Sequence, residues 1–376
     1  MSGIKVIELT TMITGPLTGM LLADLGADVI KIENPEGGDP FRSFRGGQYS
    51  PHFCAYNRNK RSVVLNLRSD DGKLALERLI ETSDVLTENF RPGVIDRLGF
   101  DDAKLTELNS RLIHCHISGF GAGGPYTNRP AYDAVAQSLS GMSSLFLDPE
   151  NPQITGPTIS DNITGYYASQ GILAALFDRE KAGVGRRIDV NMLEATLAFM
   201  PDPFGYFTQM DLVSDPKLRA RTSQSYAFRC GDEKLLTVHL SSQEKFWEQF
   251  VDVIARPDLL THEKSNSRAL RIENYDFVKE VAAEVFARHP RSHWLEVLAK
   301  RDIPFAPVYD VVEVFQDPQI QHLGTFSTVT HPAMGPLTAI RRPVLFDKSR
   351  DDQPQIPPPM LGEHTAEVLA ELAHGR

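Results

Sequence analysis

Cysteine is scarce in this sequence: three residues among 376, and no two of them form a Cys-x-x-Cys pair. This scarcity argues against a disulfide framework and against a zinc site built on thiolates, and it is typical of a reducing cytoplasm. No apolar run approaches the length of a membrane span, and the first ten residues lack the basic and apolar regions of a secretory signal. We therefore expect a soluble, cytoplasmic protein.

Positive charge is also in deficit, because 39 Lys and Arg face 49 Asp and Glu, which gives a formal net charge of −10. This balance disfavours a general attraction to nucleic acid or to an anionic membrane surface. Apolar residues (41%) and charged residues (23%) occur in the proportions of an ordinary globular protein. The length of the chain predicts two domains, or one large domain with a substantial insertion.

Several common site signatures are missing. No Gly-x-Ser-x-Gly motif occurs, and no serine or cysteine has a base at a useful spacing, which disfavours a serine or cysteine hydrolase. The first turn reads TGPLTG and lacks Gly-x-Gly-x-x-Gly, so an NAD site is disfavoured even though Glu33 ends the second predicted strand. His114 and His116 share one face of a predicted strand without an evident third ligand, so we interpret them as core or interface histidines and predict no metal site.

The first 120 residues alternate between strand and helix patterns. The strand patterns are KVIEL, ADVIKIE, RSVVLNL, SDVLTENF and RLIHCHIS, and the helix patterns between them are GPLTGMLLADLG and DGKLALERLIET. This alternation predicts an α/β fold with a doubly wound, mostly parallel, Rossmann-like sheet in a large domain. Residues 1–199 are expected to form the N-terminal part of that domain.

The pattern changes after residue 199. Residues 200–222 contain several prolines and charges and predict a linker, whereas residues 223–318 begin with a hairpin around Gly231 and predict a smaller α+β domain. Residues 319–376 are expected to return to the large domain and to end in a proline-started helix that packs on it.

Asp161 directly precedes a helical pattern that is apolar on nearly every side, so we expect the helix to be buried. The first interpretation of Asp161 is a helix cap, because a side-chain oxygen at this place accepts hydrogen bonds from the free N–H groups of the first turn. Asparagine caps about as well, so as a cap Asp161→Asn would cost less than about 1 kcal/mol. The alternative is a carboxylate that takes part in chemistry.

Basic residues gather near the ends of the predicted strands, in RNKR (58–61), at Arg68 and in NFRPGVIDR (89–97). Lysine and arginine commonly mark solvated ends of strands and helices. Ligands, however, bind at the carboxyl ends of the strands in such sheets. Together these basic groups could hold a nucleotide with several phosphates.

Six segments carry a resemblance that spans nearly the whole chain. In order they are VIELTTMITGPLTGMLLADLGADVIKIE, NRNKRSVVLNL, ENFRPGVIDRLGF, YDAVAQSLSGM, SDNITGYYASQGILAALFDREKAGVGRRIDVNMLEA and LGEHTAEVLAEL. In this order they are similar to the family III (CaiB/BaiF-type) CoA-transferases. The resemblance implies a transferase that takes an acyl-CoA and a free carboxylic acid as substrates, binds no permanent cofactor, and forms a homodimer of two interlocked chains.

The resemblance also assigns roles to residues. Asp161 matches the family's nucleophilic aspartate, which carries first an acyl group as an anhydride and then CoA as a thioester, and Asp133 matches an acidic position near the active site. Arg68 and Arg97 would meet phosphates and Phe90 would lie against the adenine. The coenzyme A site carried over from the family comprises Ile13, Thr14, Leu65, Arg68, Asn89, Phe90 and Arg97.

Departures from the family pattern bear on the substrate. The oxalate and formate enzymes of the family have a glutamine at the position of Ile13, an arginine at the position of Asn34, and a run of glycines at residues 219–225. We therefore expect the substrate to be another acid. An apolar side chain at Ile13 would suit a larger or less polar acid. The 2-methylacyl-CoA racemases of the same superfamily are the alternative. They use a histidine and an aspartate as two bases, but Tyr132 stands in the place of that histidine.

Overall fold

The computed structural model describes residues 1–350 and 355–374. It divides into two compact units, Met1–Asp202 with Gly324–Arg376 and Pro203–Leu323. None of the helices among the described residues is long and apolar enough to cross a membrane.

The first unit is built on a sheet of six parallel strands. The strands are β1 (Lys5–Leu9), β2 (Asp28–Glu33), β3 (Lys60–Val64), β4 (Val85–Glu88), β5 (Ile113–Ser118) and β6 (Arg187–Asn191). They lie in the order β3-β2-β1-β4-β5-β6. The chain adds β2 and β3 on one side of β1 and then β4, β5 and β6 on its other side. This order is that of a doubly wound α/β sheet, so the predicted Rossmann-like fold is confirmed.

Helices of the first unit cover both faces of this sheet. The helices of the described chain are α1 (Thr14–Asp24), α2 (Pro51–Tyr56), α3 (Asp70–Glu81), α4 (Val94–Arg97), α5 (Asp102–Leu108), α6 (Asp133–Leu139), α7 (Ser160–Ala182), α8 (Met192–Phe199), α9 (Pro201–Met210), α10 (Leu218–Ser223), α11 (Glu244–Val253), α12 (Arg268–Glu273), α13 (Tyr275–Phe286), α14 (Arg291–Leu298), α15 (Val311–Val314), α16 (Pro318–His322) and α17 (Thr365–His374). Side chains alternate along each strand, so that Val6 of β1 packs toward Ile172 of α7, and Ile7 toward Leu76 of α3.

A buried network of charges occupies part of the sheet face that α1 covers. The Nζ atom of Lys31 lies 3.0 Å from a carboxylate oxygen of Glu8 and 3.0 Å from one of Asp39, and all three side chains are fully buried. Lys60 approaches the second oxygen of Glu8 at 2.8 Å. Burial alone would lower the pKa of Lys31, but Asp39 and Glu8 more than offset it and hold that pKa above its usual range. A buried charge without a partner of opposite sign would destabilise the fold, so these side chains stabilise one another.

The same lysines hold the connection between β1 and α1. Lys31 donates to the backbone oxygen of Thr10 at 2.8 Å, and Lys60 donates to that of Pro16 at 2.8 Å. The TGPLTG segment is the beginning of α1, and glycine serves packing there: a Cβ atom at Gly19 would lie 1.8 Å from a carboxylate oxygen of Glu8. The buried network therefore requires glycine at this position of α1.

The long helix α7 packs against α1 through Gly165, where a Cβ atom would lie 2.8 Å from the carbonyl oxygen of Thr14. The opposite side of α7 exposes Tyr166 (55%), Leu173 (38%) and Phe177 (66%). The prediction of a helix buried on all sides is thus wrong for the chain by itself. These positions lie seven and four residues apart, so they form one row on the helix.

The segment predicted as a linker, residues 200–222, contains α9 and α10. Pro201 and Pro203 lie in the first turn of α9, where a missing N–H group breaks no helical hydrogen bond, and proline there permits a helix. The prolines near the C-terminus do not start α17, which begins at Thr365 after a turn that includes Gly362 (φ +69°). Val368 of α17 packs into the core of the first unit.

The second unit, Pro203–Leu323, has its own core. Its antiparallel sheet consists of β7 (Ser225–Arg229), β8 (Leu235–His239) and β9 (Phe305–Val308), and β7 and β8 form the hairpin predicted around Gly231. Trp247, Phe250 and Phe286 fill the space between this sheet and its helices. In the first unit, β10 (Phe326–His331) and β11 (Gly335–Ile340) form a separate antiparallel hairpin.

Candidate active site

A cavity of about 370 Å³ opens at the carboxyl ends of β1 to β4. Leu9 and Glu33 end two of these strands, and Leu65 and Phe90 follow the other two. In doubly wound sheets the loops at this edge splay apart where the strand order reverses, and ligands bind in the space between them. The cavity lies where the sequence predicted a nucleotide site.

Three of the residues expected to contact coenzyme A line this cavity, namely Leu65, Arg68 and Phe90. Asn34, the position where related oxalate and formate enzymes have arginine, also lines it. Arg68 is exposed and Phe90 is half-buried. The cavity thus combines a cation, an aromatic ring and an aliphatic wall, which suits a ligand that carries both phosphate and a flat base.

The other expected contacts lie apart from the cavity wall. Asn89 holds the connection between β1 and α1, because its amide donates to the Thr11 carbonyl oxygen at 2.8 Å and to the Thr14 hydroxyl at 3.2 Å. Ile13 is 4% exposed, and its side chain packs against two phenylalanines in the core. Arg97 ends α4 at the surface, outside the cavity lining.

The acid that ends β2 is engaged by the protein itself. Arg42 donates to both carboxylate oxygens of Glu33, at 2.7 Å and 2.6 Å, and the Ser62 hydroxyl donates to one of them at 2.6 Å. In dinucleotide sites an acid at this position binds a ribose hydroxyl. Both carboxylate oxygens of Glu33 already accept hydrogen bonds from the protein, so Glu33 is not free to bind a ribose hydroxyl. This agrees with the absence of the Gly-x-Gly-x-x-Gly motif.

Asp161 is the second residue of α7, and the helix is preceded by Ile159 at the capping position. No hydrogen bond from the described residues reaches the Asp161 carboxylate; its backbone N–H donates instead to Oδ1 of Asp133 at 3.1 Å. The interpretation of Asp161 as the helix cap is therefore wrong. The carboxylate is half-buried and lacks a donor within residues 1–350 and 355–374, which leaves it chemically available.

Burial, and to a lesser extent the nearby charge of Asp133, raise the pKa of Asp161 to about 7. A carboxylate that lacks donors and faces a like charge is destabilised relative to its protonated form. Shifts of this kind are common at catalytic acids and nucleophiles. Near pH 7 the group is poised between the two forms, and its carboxylate is more basic than that of an ordinary aspartate.

Asp133 begins α6, and a side-chain amide N–H of Gln137 donates to its second oxygen. Gln137 was not among the residues predicted from the sequence. A signal for it existed, because a glutamine four residues after an aspartate on one helix lies on the same face and within hydrogen-bond reach. Tyr132, which stands where the racemases have a histidine, is 65% exposed.

The two histidines of β5 are buried, as predicted for core residues. His116 contacts Glu88 through Nδ1, and His114 Nε2 lies 3.6 Å from the same carboxylate. Burial would raise the pKa of Glu88, but its hydrogen bonds with His114 and His116 lower it below its usual value. Within residues 1–350 and 355–374, no group of three or more His, Cys, Asp or Glu side chains is arranged to hold a metal ion.

Comparisons with known proteins agree on one family. A model of the family described as CoA-transferase family III matches residues 1–365. The chain is 36% identical to acetyl-CoA:oxalate CoA-transferase of Acetobacter aceti, over 84% of this chain and 82% of that protein. It is 30% identical to the human succinyl-CoA:glutarate CoA-transferase, over 99% and 86% of the two chains. A crystal structure of a CaiB/BaiF family protein from Brucella suis matches with a TM-score of 0.86 and 29% identity, over 99% of this chain and 98% of that one.

Proposed function

Because the chain belongs to CoA-transferase family III, we propose that it moves CoA from an acyl-CoA donor to a free carboxylic acid through covalent intermediates on Asp161. The observation that carries this proposal is the state of Asp161: its carboxylate is half-buried, accepts no hydrogen bond from the part of the chain that the structure describes, and has a pKa raised to about 7. A nucleophile needs unshared electron density, and a capping carboxylate would have lost much of it to backbone N–H groups.

The proposed reaction has two mirrored halves. The Asp161 carboxylate attacks the donor's thioester carbonyl, the C–S bond breaks, and an aspartyl anhydride forms with release of CoA thiolate. The thiolate then attacks the aspartyl carbonyl, expelling the donor's carboxylate and leaving an aspartyl-CoA thioester. The acceptor carboxylate attacks this thioester, and the released thiolate takes the acceptor's acyl group from the second anhydride, which regenerates Asp161. No bond energy is lost to water if the site excludes it.

The cavity at the strand ends supplies a place for the CoA nucleotide in this proposal. Arg68 would pair with phosphate and Phe90 would stack on adenine, while Asn89 would act indirectly by holding the loop that begins α1. The named relatives transfer CoA to oxalate and to glutarate, both dicarboxylic acids. We therefore place a dicarboxylic acid first among candidate acceptors, in preference to the larger or less polar acid that Ile13 suggested.

The test is to trap the intermediate on the wild-type enzyme. Incubation with a good acyl-CoA donor, followed by hydroxylamine or borohydride, should modify Asp161, and peptide mass should locate the change. A racemase would instead exchange the substrate's α-proton with heavy water and leave neither an acyl nor a CoA label on the protein. A label on Asp133, or none at all with a donor that turns over, would refute the proposal.

Replacing Arg68 with alanine is expected to raise the dissociation constant for CoA esters about tenfold, because one charge-assisted contact to phosphate is lost from the cavity wall. Arg97 lies outside the lining, so Arg97→Ala should have a smaller effect. Arg256→Ala is a matched control, since this arginine pairs with Asp258 in the second unit. Isothermal titration with CoA measures all three, and equal affinities for Arg68→Ala and the control would remove Arg68 from the site.

We also propose that the protein is a homodimer, as the interlocked chains of the family resemblance imply. The exposed row of Tyr166, Leu173 and Phe177 on α7 supports it, because apolar side chains aligned on one helix face commonly pack against another chain. Sedimentation velocity at low micromolar concentration should give a dimer that persists on dilution. A monomer under those conditions would contradict this proposal.

A further inference from the structure

Asp133 is held at two points beside the first turn of α7. Its Oδ1 atom accepts the backbone N–H of Asp161 at 3.1 Å, and its Oδ2 atom accepts an amide N–H of Gln137. The Gln137 side chain is 5% exposed and comes from the next turn of the same helix, α6. Two donors on two different oxygens leave the Asp133 carboxylate little freedom to rotate.

We propose that Gln137 is a positioning residue for the CoA transfer proposed above, because it keeps the Asp133 carboxylate facing the nucleophile Asp161. This inference rests on the proposed function, and it adds a residue that touches neither substrate nor reacting atom. Without the amide of Gln137, one oxygen of Asp133 would be without its donor, and the side chain could turn toward solvent about its Cα–Cβ bond.

The position of Asp133 matters because of what happens to the charge on Asp161. In the free enzyme the two carboxylates repel each other, and this repulsion contributes to the raised pKa of Asp161. In the anhydride and in the thioester, Asp161 is neutral, so the repulsion disappears when the acyl group or CoA is attached. A fixed negative charge beside the nucleophile therefore favours the covalent intermediates over the free enzyme.

Other charged groups near α7 are already paired within the protein. Asp24 of α1 is held by Arg58, Glu194 of α8 by Asn191, the two histidines of β5 by Glu88, and Arg187 and Asp189 of β6 by each other. On α2, the Tyr56 hydroxyl lies 3.4 Å from Oδ1 of Asn162. Among the described residues, Asp133 is the one whose charge acts on the pKa of Asp161.

The experiment measures single-turnover acylation of the enzyme by an acyl-CoA donor between pH 5.5 and 8.5, with peptide mass locating and counting the label. The wild type should show an acid limb with a midpoint near pH 7, set by ionisation of Asp161. Gln137→Met, which removes the donor and keeps the length of the side chain, should move this midpoint about one unit toward acid and slow acylation about tenfold at pH 8. The affinity for CoA esters should stay within twofold.

Asp133→Asn is the second variant, which keeps the size of the side chain and removes its charge. It should move the midpoint in the same direction, and Gln137→Met should add almost nothing in the Asp133→Asn background, since the two act through one charge. Gln170→Met, a change at an exposed glutamine on α7, is the control and should leave the midpoint in place.

The outcomes separate this inference from the function on which it rests. If the wild type is labelled at Asp161 with an acid limb near pH 7, and Gln137→Met or Asp133→Asn leaves that midpoint unmoved, the positioning role is wrong and the proposed function stands. Additive shifts in the double variant would also overturn it. If the wild type carries no label at Asp161, both the function and the inference fail.

Discussion

Asp161→Asn is expected to lower CoA transfer by several orders of magnitude. The amide nitrogen and oxygen of asparagine cannot form the anhydride, and loss of a covalent nucleophile removes the whole reaction path rather than one stabilising contact. The measurement is the initial rate of acyl-CoA formation from a donor and a free acid, followed by mass. The fold should be unaffected, because Asp161 does not cap α7.

Asp178→Asn is the matched control for this prediction. Asp178 is an aspartate on the same helix, α7, where it pairs with Arg186 at the surface, far along the chain from the first turn. This variant should transfer CoA within about twofold of the wild-type rate, as expected for a weak surface pair. A wild-type rate in Asp161→Asn would return Asp161 to a structural role.

The same substitution should make the protein more stable at alkaline pH. The pKa of Asp161 is raised in the folded state to about 7, so between about pH 4 and pH 7 the folded chain binds a proton that the unfolded chain releases. The stability from that bound proton is lost as the pH rises through the folded pKa. The Asp161→Asn variant has no group that loses this proton. Its free energy of unfolding should therefore exceed that of the wild type by about 2 kcal/mol at pH 8, and urea unfolding curves should show this difference shrinking toward pH 5.

A helix-capping role for Asp161 would predict a different change in stability for Asp161→Asn. A cap replaced by asparagine would show a small loss, under about 1 kcal/mol and independent of pH. A gain in the free energy of unfolding that grows with pH would instead show that the folded protein keeps the Asp161 carboxylate in an unfavourable environment. Such environments are common where activity needs a strained or charged site. A pH-independent change in the urea curves would contradict the burial argument.

Lys31→Met is expected to have the largest effect on the stability of the first unit. It removes the cation shared by Glu8 and Asp39 and leaves these two carboxylates buried without it. Breaking a buried ion pair from one side costs about 3–5 kcal/mol, because the remaining buried charge lacks its counter-ion. Glu8 keeps Lys60, so the loss falls mainly on Asp39, whose ion pair among the described residues is the one with Lys31. Chemical denaturation followed by circular dichroism measures the loss.

Lys5→Met provides the comparison for Lys31. Lys5 belongs to β1 of the same sheet, but its side chain is half-exposed, so the substitution should change stability by no more than about 0.5 kcal/mol. Equal effects of the two substitutions would show that burial of the network contributes nothing. The Lys31 variant should also loosen the connection between β1 and α1, since Lys31 donates to the Thr10 carbonyl oxygen.

Much of the fold followed from local patterns in the sequence. The strands β1 to β5 and the helices α1 and α3 lie where alternation of apolar segments predicted them, because strand and helix periodicities differ and are written into adjacent residues. The exceptions are also local. Pro201 and Pro203 were interpreted as breaking structure, yet proline in a first helical turn is compatible with α9.

The site was less accessible to such reasoning. Family resemblance pointed to Asp161 and Asp133, but only the structure showed that Ile159 occupies the capping position and that no donor among the described residues reaches the Asp161 carboxylate. Ile13 looked like a substrate contact and lies in the core, since burial depends on Phe41 and Phe53 from later parts of the chain. The contact between Gln137 and Asp133 lies within α6 and could be read from their spacing, but only the packing of α6 against α7 places Asp133 beside Asp161.

The sequence by itself determined the α/β class, the positions of five of the six parallel strands and the family, because these depend on periodicity and on ordered motifs. The tertiary structure decided which residues act together. The environment of Asp161 arises from Asp133, 28 residues away, and the cavity wall from four strand ends that are distant in the chain. Burial and charge proximity are properties of packing, and they set the reactivity of a carboxylate that the sequence can only locate.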